Sequence, residues 1–355
     1  MNMNQKYSTS FAAGLTSRQR GLSLVELMIA LALSMIIVLA VGEVYVGSRQ
    51  TYRTQDALSR LQENARYAVE TMGYDLRMAG QVGCSFDTTK VANVLNTPAY
   101  GDLFGDSMKG YEKGGSAAAP FTASLSMGDA VQLFRASESP YLVQSHDAGA
   151  STFNFASTTD IVKDDILVVT DCDTAAVFQA SGPATAGTTA VHATGGTSPG
   201  NCSANLGPKP LITDPCTSVT AKTFPKGTRI LRVMSKLYYI ASNPAGEPAL
   251  YRQTVSKGLI NTEELVEGVE DMQIQYGVDT TADKSADNYV DAGAVADWSQ
   301  VVSMRVSLLM RTAEDNVVTE PQTYKFPASA TSGTTAADRR IRQVFTSTIG
   351  TRSRL

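Results

Sequence analysis

LSLVELMIALALSMIIVLAVG, residues Leu22–Gly42, is the stretch whose reading decides the class of this chain. Its only polar side chains are Ser23, Glu26 and Ser34. A bilayer core takes about 20 apolar residues as helix, so the run is long enough to span. Upstream, residues 1–21 carry Lys6, Arg18 and Arg20 and no acid, and no cation lies inside the run. That positive flank places the N-terminus in the cytoplasm and the bulk of the chain on the far side. The plainer reading is an ordinary secretory signal peptide, cut near Ala40-Val41-Gly42. Two features oppose it. Glu26 puts a charge near the start of the apolar run, and the helical pattern continues for many turns beyond Gly42.

A lone carboxylate at membrane depth costs about 2.5–3.5 kcal/mol on insertion scales, so a partner is expected. The run holds no cation, which leaves another subunit as the source and makes the charge an assembly device. Arg20-Gly21-Leu22-Ser23-Leu24-Val25-Glu26-Leu27-Met28-Ile29 resembles the type IV prepilin signature: Gly, a hydrophobic residue, three more positions, then Glu. The resemblance implies that a prepilin peptidase cuts after Gly21 on the cytoplasmic side and N-methylates the new first residue, Leu22. It also implies that Glu26, fifth in the mature chain, pairs with the N-terminal amine of a neighbouring subunit. The family's usual first residue is Phe; here it is Leu.

Working outward, apolar residues recur at Leu58, Leu61, Ala65, Ala68, Val69, Met72 and Leu76, with spacings of three and four. Asp56, Arg60, Glu63, Arg66, Glu70, Asp75 and Arg77 lie between them and read as the solvent face of an amphipathic helix. Gly80 is the expected C-terminal stop. A helix from Leu22 to about Met78 is thus half transmembrane anchor and half core-packing stripe. The stripe lacks the sustained a/d heptads of a coiled coil, so it packs against the chain's own sheet.

Beyond Gly83 the texture changes to short β-type runs between Gly-, Thr-, Ala- and Pro-rich loops. Ala130–Phe134, Ile166–Thr170 and Ala176–Gln179 read as strands. Residues 181–210 show no period and read as a long surface excursion. Arg229–Ala241 and Ala249–Gln253 read as a hairpin. Met272, Ile274, Tyr276 and Val278 alternate with polar residues or glycine, as do Val302, Met304, Val306, Leu308 and Met310, so each strand has one face to bury. The expected class is α+β: a long N-terminal helix, transmembrane in one half and amphipathic in the other, packed on antiparallel sheet. The expected organisation is a basic leader (1–21), the long helix (22–80, membrane half 22–42), a variable β/loop region (81–227) and an antiparallel sheet region (228–355).

Gln62–Gly83, Tyr238-Tyr239-Ile240, Leu265–Asp279 and Val344-Phe345-Thr346-Ser347-Thr348 resemble the PilW family of minor pilins. That family is implied to prime type IV pilus assembly within an initiating tip complex. Residues 85–227 resemble it only loosely.

The rest of the chemistry is sparse. No Walker loop, dinucleotide fingerprint, Gly-x-Ser-x-Gly elbow or Cys-x-x-Cys occurs, and nothing points to an enzyme. His146 and His192 sit in loop-like sequence and read as solvated surface side chains. Cys84, Cys172, Cys202 and Cys216 all follow the apolar run, and an even number in an exported domain favours disulfides. Three pairings are open to sequence. Cys84–Cys172, joining element ends, with Cys202–Cys216, across a short Pro-rich segment, is the expected one. Asp279, Asp283 and Asp287 resemble a degraded calcium loop lacking the central Gly and terminal Glu; the alternative is a solvated acidic turn. Arg339, Arg340, Arg342, Arg352 and Arg354 read either as edge-strand charges that discourage aggregation or as a dock for an acidic neighbour. Loss of the leader's three cations takes the net charge from −4 to −7, which suits no nucleic-acid partner.

The function expected is a minor pilin that initiates and tips a type IV pilus, supporting twitching motility and adhesion. Its implied partners are the prepilin peptidase, the other minor pilins, the major pilin and the inner membrane. It would cross the inner membrane once, with its bulk periplasmic, and then reach the pilus tip. A type II secretion pseudopilin shares the N-terminal chemistry, and a pilus-associated adhesin or DNA-uptake component would use the machinery only for export.

Overall fold

The computed structural model describes residues 21, 23–82, 84, 90–97, 103, 107–118, 120–208, 219–256, 259–327 and 329–351. The chain forms two compact units that divide after Arg53. A single helix, α1 (Leu24–Arg77, 54 residues), runs through the division.

In the first unit every described residue of α1 up to Arg49 is solvent-exposed, including an almost unbroken series of large apolar side chains from Leu24 to Val46. In the second unit the helix has a buried stripe: Leu61, Ala65, Ala68, Met72 and Leu76. These recur every three or four residues, so they share one face. Small Ala side chains in the stripe let the sheet approach closely. The helix stops where expected, because Gly80 takes φ 73°, the left-handed conformation that suits glycine, and its N–H donates to Phe134 O at 2.8 Å.

Among the described residues seventeen strands follow. The first eight are β1 (Val91–Asn93), β2 (Met108–Tyr111), β3 (Ala130–Ala136), β4 (Tyr141–Asp147), β5 (Thr152–Thr159), β6 (Ile166–Thr170), β7 (Ala175–Gln179) and β8 (Gly187–Val191). Then come β9 (Arg229–Ser242), β10 (Pro248–Ser256), β11 (Leu259–Glu267), β12 (Val269–Val278) and β13 (Asn288–Val290). The last are β14 (Val301–Arg311), β15 (Thr323–Tyr324), β16 (Thr334–Thr335) and β17 (Arg342–Gly350).

The 14-residue β9 is the spine of the larger sheet. Its first half pairs with β4 and β6, and through them with β5, β8, β7 and β1; its second half pairs with β3 and β10, which carry β2 and β11. The smaller sheet has the order β13-β12-β14-β17. All these pairings are antiparallel except β1 with β7. The protein is therefore α+β, a long helix packed with mostly antiparallel sheet.

The helix stripe packs with Val131, Leu133, Tyr238, Ile240 and Leu250 of the larger sheet and Met272, Ile274, Tyr276, Met304, Val306, Leu308 and Met310 of the smaller. Strand alternation explains nearly all of this. At the end of β14 a bulge shifts the register between Gly277 and Val278, so Val301 enters this core where Val302 was expected. Gly110 on β2 is needed for close approach, since the Tyr276 ring occupies the place any side chain there would take.

A second core, built on Phe153, Phe155, Phe178, Phe224, Leu167 and Ile230, holds the middle of the chain. It corrects the expected surface excursion, because residues 181–208 supply β8 and the buried Ala190, His192, Asn201 and Leu206. The sequence hides this because a side chain replaces strand pairing. Asn201 donates to Gln179 O and Ala193 O and accepts from Gln179 N at 2.7 Å.

Candidate functional site: the assembly helix and its anchorage

The start of α1 is capped by the Ser23 side chain. Ser23 lies just outside the helix; its Oγ accepts the Glu26 N–H at 3.2 Å and its carbonyl accepts the Leu27 N–H at 3.1 Å. Glu26 thus falls in the first turn, where the positive end of the helix dipole favours a carboxylate. Ser34 donates to Ala30 O of its own helix. Two of the three polar residues in the apolar run are therefore satisfied locally. The Glu26 carboxylate is exposed and makes no ion pair among the described residues. Gly21 is exposed and non-helical, while Leu22 lies outside the described residues. By length and composition α1 is able to cross a membrane.

At its other end the helix is fastened by charge as well as packing. Asp75, expected on the solvent face, is 2% exposed. Lys236 Nζ donates to both its oxygens at 2.9 and 2.7 Å, and Tyr238 Oη donates as well. Arg135 Nε lies 3.3 Å away. Burial lowers the Lys236 pKa, against the opposing pull of Asp75. Burial, then Asp75, raises that of Tyr238. The overlooked signal was phase, because Asp75 lies three residues after Met72 and so on the apolar face. Asp56–Arg60, at 3.0 Å, is the exposed i,i+4 pair the sequence suggests.

Cys84 and Cys172 form a disulfide, with Cα atoms 5.4 Å apart. It joins the segment after α1 to the end of β6. Cys202 is also disulfide-bonded; its expected partner, Cys216, lies outside the described residues.

The three aspartates of the expected calcium loop are engaged by hydrogen bonds within that loop. Asp287 accepts from Thr280 N–H and Oγ1 at 2.8 and 2.7 Å, Asp279 from Lys284 N–H at 2.8 Å, and Asp283 from Ser285 N–H at 2.8 Å. Hydrogen bonds from Thr280 pull the Asp287 pKa down. Each carboxylate accepts from its own loop's backbone, and among the described residues no three His, Cys, Asp or Glu side chains form a metal-ligand group. The feature is a hydrogen-bonded acidic turn.

Arg340 and Arg342 are likewise used internally. Arg340 forms a two-pronged bond to Glu247 at 2.9 Å, shared with Arg311 at 2.6 Å; Arg342 pairs with Glu270 at 2.7 Å and with Asp338. Neither is a free docking charge. Arg352 and Arg354 lie outside the described residues. The histidines are the largest reversal, since both are buried and their Nε2 atoms lie 3.0 Å apart.

Comparison with known families gives two matches. Residues 237–353 match the family described as Type IV Pilus-assembly protein W, and residues 16–42 match the prokaryotic N-terminal methylation motif. The first contains β10 to β17 and the C-terminal end of β9; the second contains Gly21, Leu22 and Glu26. Gln62–Gly83, whose sequence resembles the same family, falls in neither. No curated protein and no solved structure matches the chain. Together the matches support a type IV pilus minor pilin similar to PilW, a family of structural, pilin-type proteins.

Proposed function

We propose that this PilW-like chain, led by a prepilin methylation motif, is a minor pilin that enters a type IV pilus through α1 and helps start the filament and occupy its tip. The prepilin peptidase cuts after Gly21 and methylates Leu22. The mature chain waits in the inner membrane with its bulk in the periplasm. Glu26 then pairs with the N-terminal amine of an adjacent pilin subunit.

The observation that carries this reading is the character of α1. Its first half is apolar on every side with one acid in a capped first turn, and its second half is fixed into a folded domain. A helix that is apolar all round has no surface suited to water, so lipid or other helices must cover it. A carboxylate among those helices is stable only with a cation from one of them. A type II secretion pseudopilin would use the same helix; the match over residues 237–353 favours the pilus.

The test is a clean deletion strain, scored for surface pili by electron microscopy and for twitching. Loss of both, restored by the wild-type chain, is expected. Normal piliation accompanied by a secretion defect would transfer the protein to the secretion system.

A further inference from the structure

His146, on β4, and His192, one residue beyond β8, face one another inside the second core. Their outer nitrogens determine which atoms carry protons. The Phe224 N–H donates to His146 Nδ1 at 3.1 Å, so the proton of a neutral His146 is on Nε2. His192 Nδ1 lies 3.0 Å from Ala204 O, which only accepts, so the His192 proton is on Nδ1. His192 Nε2 is then a bare acceptor opposite His146 Nε2–H, 3.0 Å away. A single relay runs from Phe224 N–H through both rings to Ala204 O, and every member is satisfied with both imidazoles neutral.

No further proton fits that relay. At His146 Nδ1 it would face the Phe224 N–H; at His192 Nε2 it would face the His146 N–H. Water has little access, because Phe153 stacks on His146 at 4.1 Å and the Phe224 and Phe178 rings lie 5.7 Å from His146 and His192, which are 9% and 1% exposed. Among charged neighbours, Asp147 follows His146 on β4 and favours its cation, while its carboxylate accepts the Ala150 N–H at 2.9 Å. Lys222 lies 5.0 Å over the Phe224 ring and is paired with Asp171 at 2.6 Å. β5, β7 and β8 contain no titratable residue, and the only one in 193–208 is the disulfide-bonded Cys202.

We propose that the His146–His192 pair is a proton-operated latch: neutral, it fastens residues 193–208 and 219–224 to the β4–β5–β8 edge of the larger sheet, and on acidification it releases them. Burial lowers the pKa of His146 and, with the neighbouring His146, takes that of His192 from 6.5 to about 4. Between those values the unfolded chain binds more protons than the folded one. The latch is therefore fully closed above about pH 6.5 and weakens steadily toward about pH 4.

The test uses the full chain in detergent with ¹⁵N-labelled histidine. Near neutral pH, nitrogen shifts should report His146 as the Nε2–H tautomer and His192 as Nδ1–H, with neither ring titrating near the ordinary histidine value. Hydrogen exchange in 193–208 and 219–224, corrected for intrinsic rate, should accelerate at least about tenfold between about pH 7 and about pH 4.5, each pKa unit being worth a factor of ten. Protection of residues 61–76 should be unchanged. In His146→Asn with His192→Gln, the pH dependence of exchange in those segments should disappear. Rings that titrate near 6.5 in the folded chain, or exchange in the two segments that is indifferent to pH in the wild type, would overturn the latch. Both readouts come from the wild-type chain, so they decide the matter even if the variant does not fold.

Discussion

Residues 24–49 and 61–76 belong to one helix and obey opposite rules. The first set is exposed on all sides and nearly free of charge; the second alternates buried Leu, Ala and Met with polar residues on the far side. Backbone hydrogen bonding is the same in both, so helix formation does not separate them. What separates them is the solvent each sequence is written for. An apolar cylinder is stable in lipid or among like helices, and an amphipathic one against a sheet in water. A lone acid also means different things in the two halves. Glu26 makes no ion pair among the described residues, as the proposed pairing with another chain requires, whereas Asp75 has Lys236, Tyr238 and Arg135 already in place.

The contrast breaks most completely at Gly21. Gly21→Val should abolish leader removal, because the peptidase must accommodate a residue without Cβ at the cut. Nothing in the chain lies within 4 Å of a Cβ placed there, so a processing defect would report on the protease and not on the fold. Mass spectrometry of the wild-type chain should show an N-terminus at methylated Leu22, and any other terminus contradicts the assignment.

Glu26→Ala should leave membrane insertion intact, or ease it by removing a charge worth about 2.5–3.5 kcal/mol at membrane depth. Pilus number should fall sharply, since the intersubunit partner is gone. Wild-type piliation in that strain would remove the assembly role of the carboxylate.

For the buried acid the effect should appear in stability. Asp75→Ala strands Lys236 and Arg135 in the core and should cost about 3–5 kcal/mol, read as an earlier denaturation midpoint of the full chain in detergent. Pairing it with Lys236→Met should recover much of the loss by removing one stranded cation. A single variant as stable as wild type would show that the charges carry no weight there.

Much of this was legible in sequence because two periods were strong. The 21-residue apolar run, the three/four stripe and the alternation in β12 and β14 each named an element and the face it buries. Legibility failed where the signal was a partnership between distant residues. Asp75 looked like its charged neighbours because Lys236 and Tyr238 are 161 and 163 positions away. The two histidines looked solvated because the aromatic side chains that bury them come from β5, β7 and the segment before β9. Residues 181–208 looked irregular because Asn201 replaces a ladder of strand pairing with one side chain. The candidate site itself, Gly21 to Glu26, is a local signal that falls within the matched methylation motif.

The cysteines test the same distinction between local and distant signals at moderate cost. Non-reducing peptide mapping should recover Cys84–Cys172 and Cys202–Cys216. Removing a native disulfide from a small exported domain costs about 2–5 kcal/mol, with a larger chain-entropy share for the longer loop. Cys84→Ser should therefore lower the midpoint more than Cys202→Ser, and a peptide joining Cys84 to Cys202 would refute the pairing.

The smallest effect expected is none at all, and it falls on the acidic turn. Asp279, Asp283 and Asp287 have the composition of a hard-cation loop, and such an ion needs several oxygens converging on one point. In the folded chain their oxygens are already accepting from Lys284, Ser285, Thr280 and Thr281 of the same turn. Turning them toward a shared cation would compete with those bonds for the orientation of each carboxylate. An ion that bound only the folded state would raise its stability by mass action. Melting of the full chain in detergent should therefore be the same in excess calcium and in excess chelator. A calcium-dependent rise that Asp287→Asn abolishes would restore the cation site and show that this turn rearranges to form it.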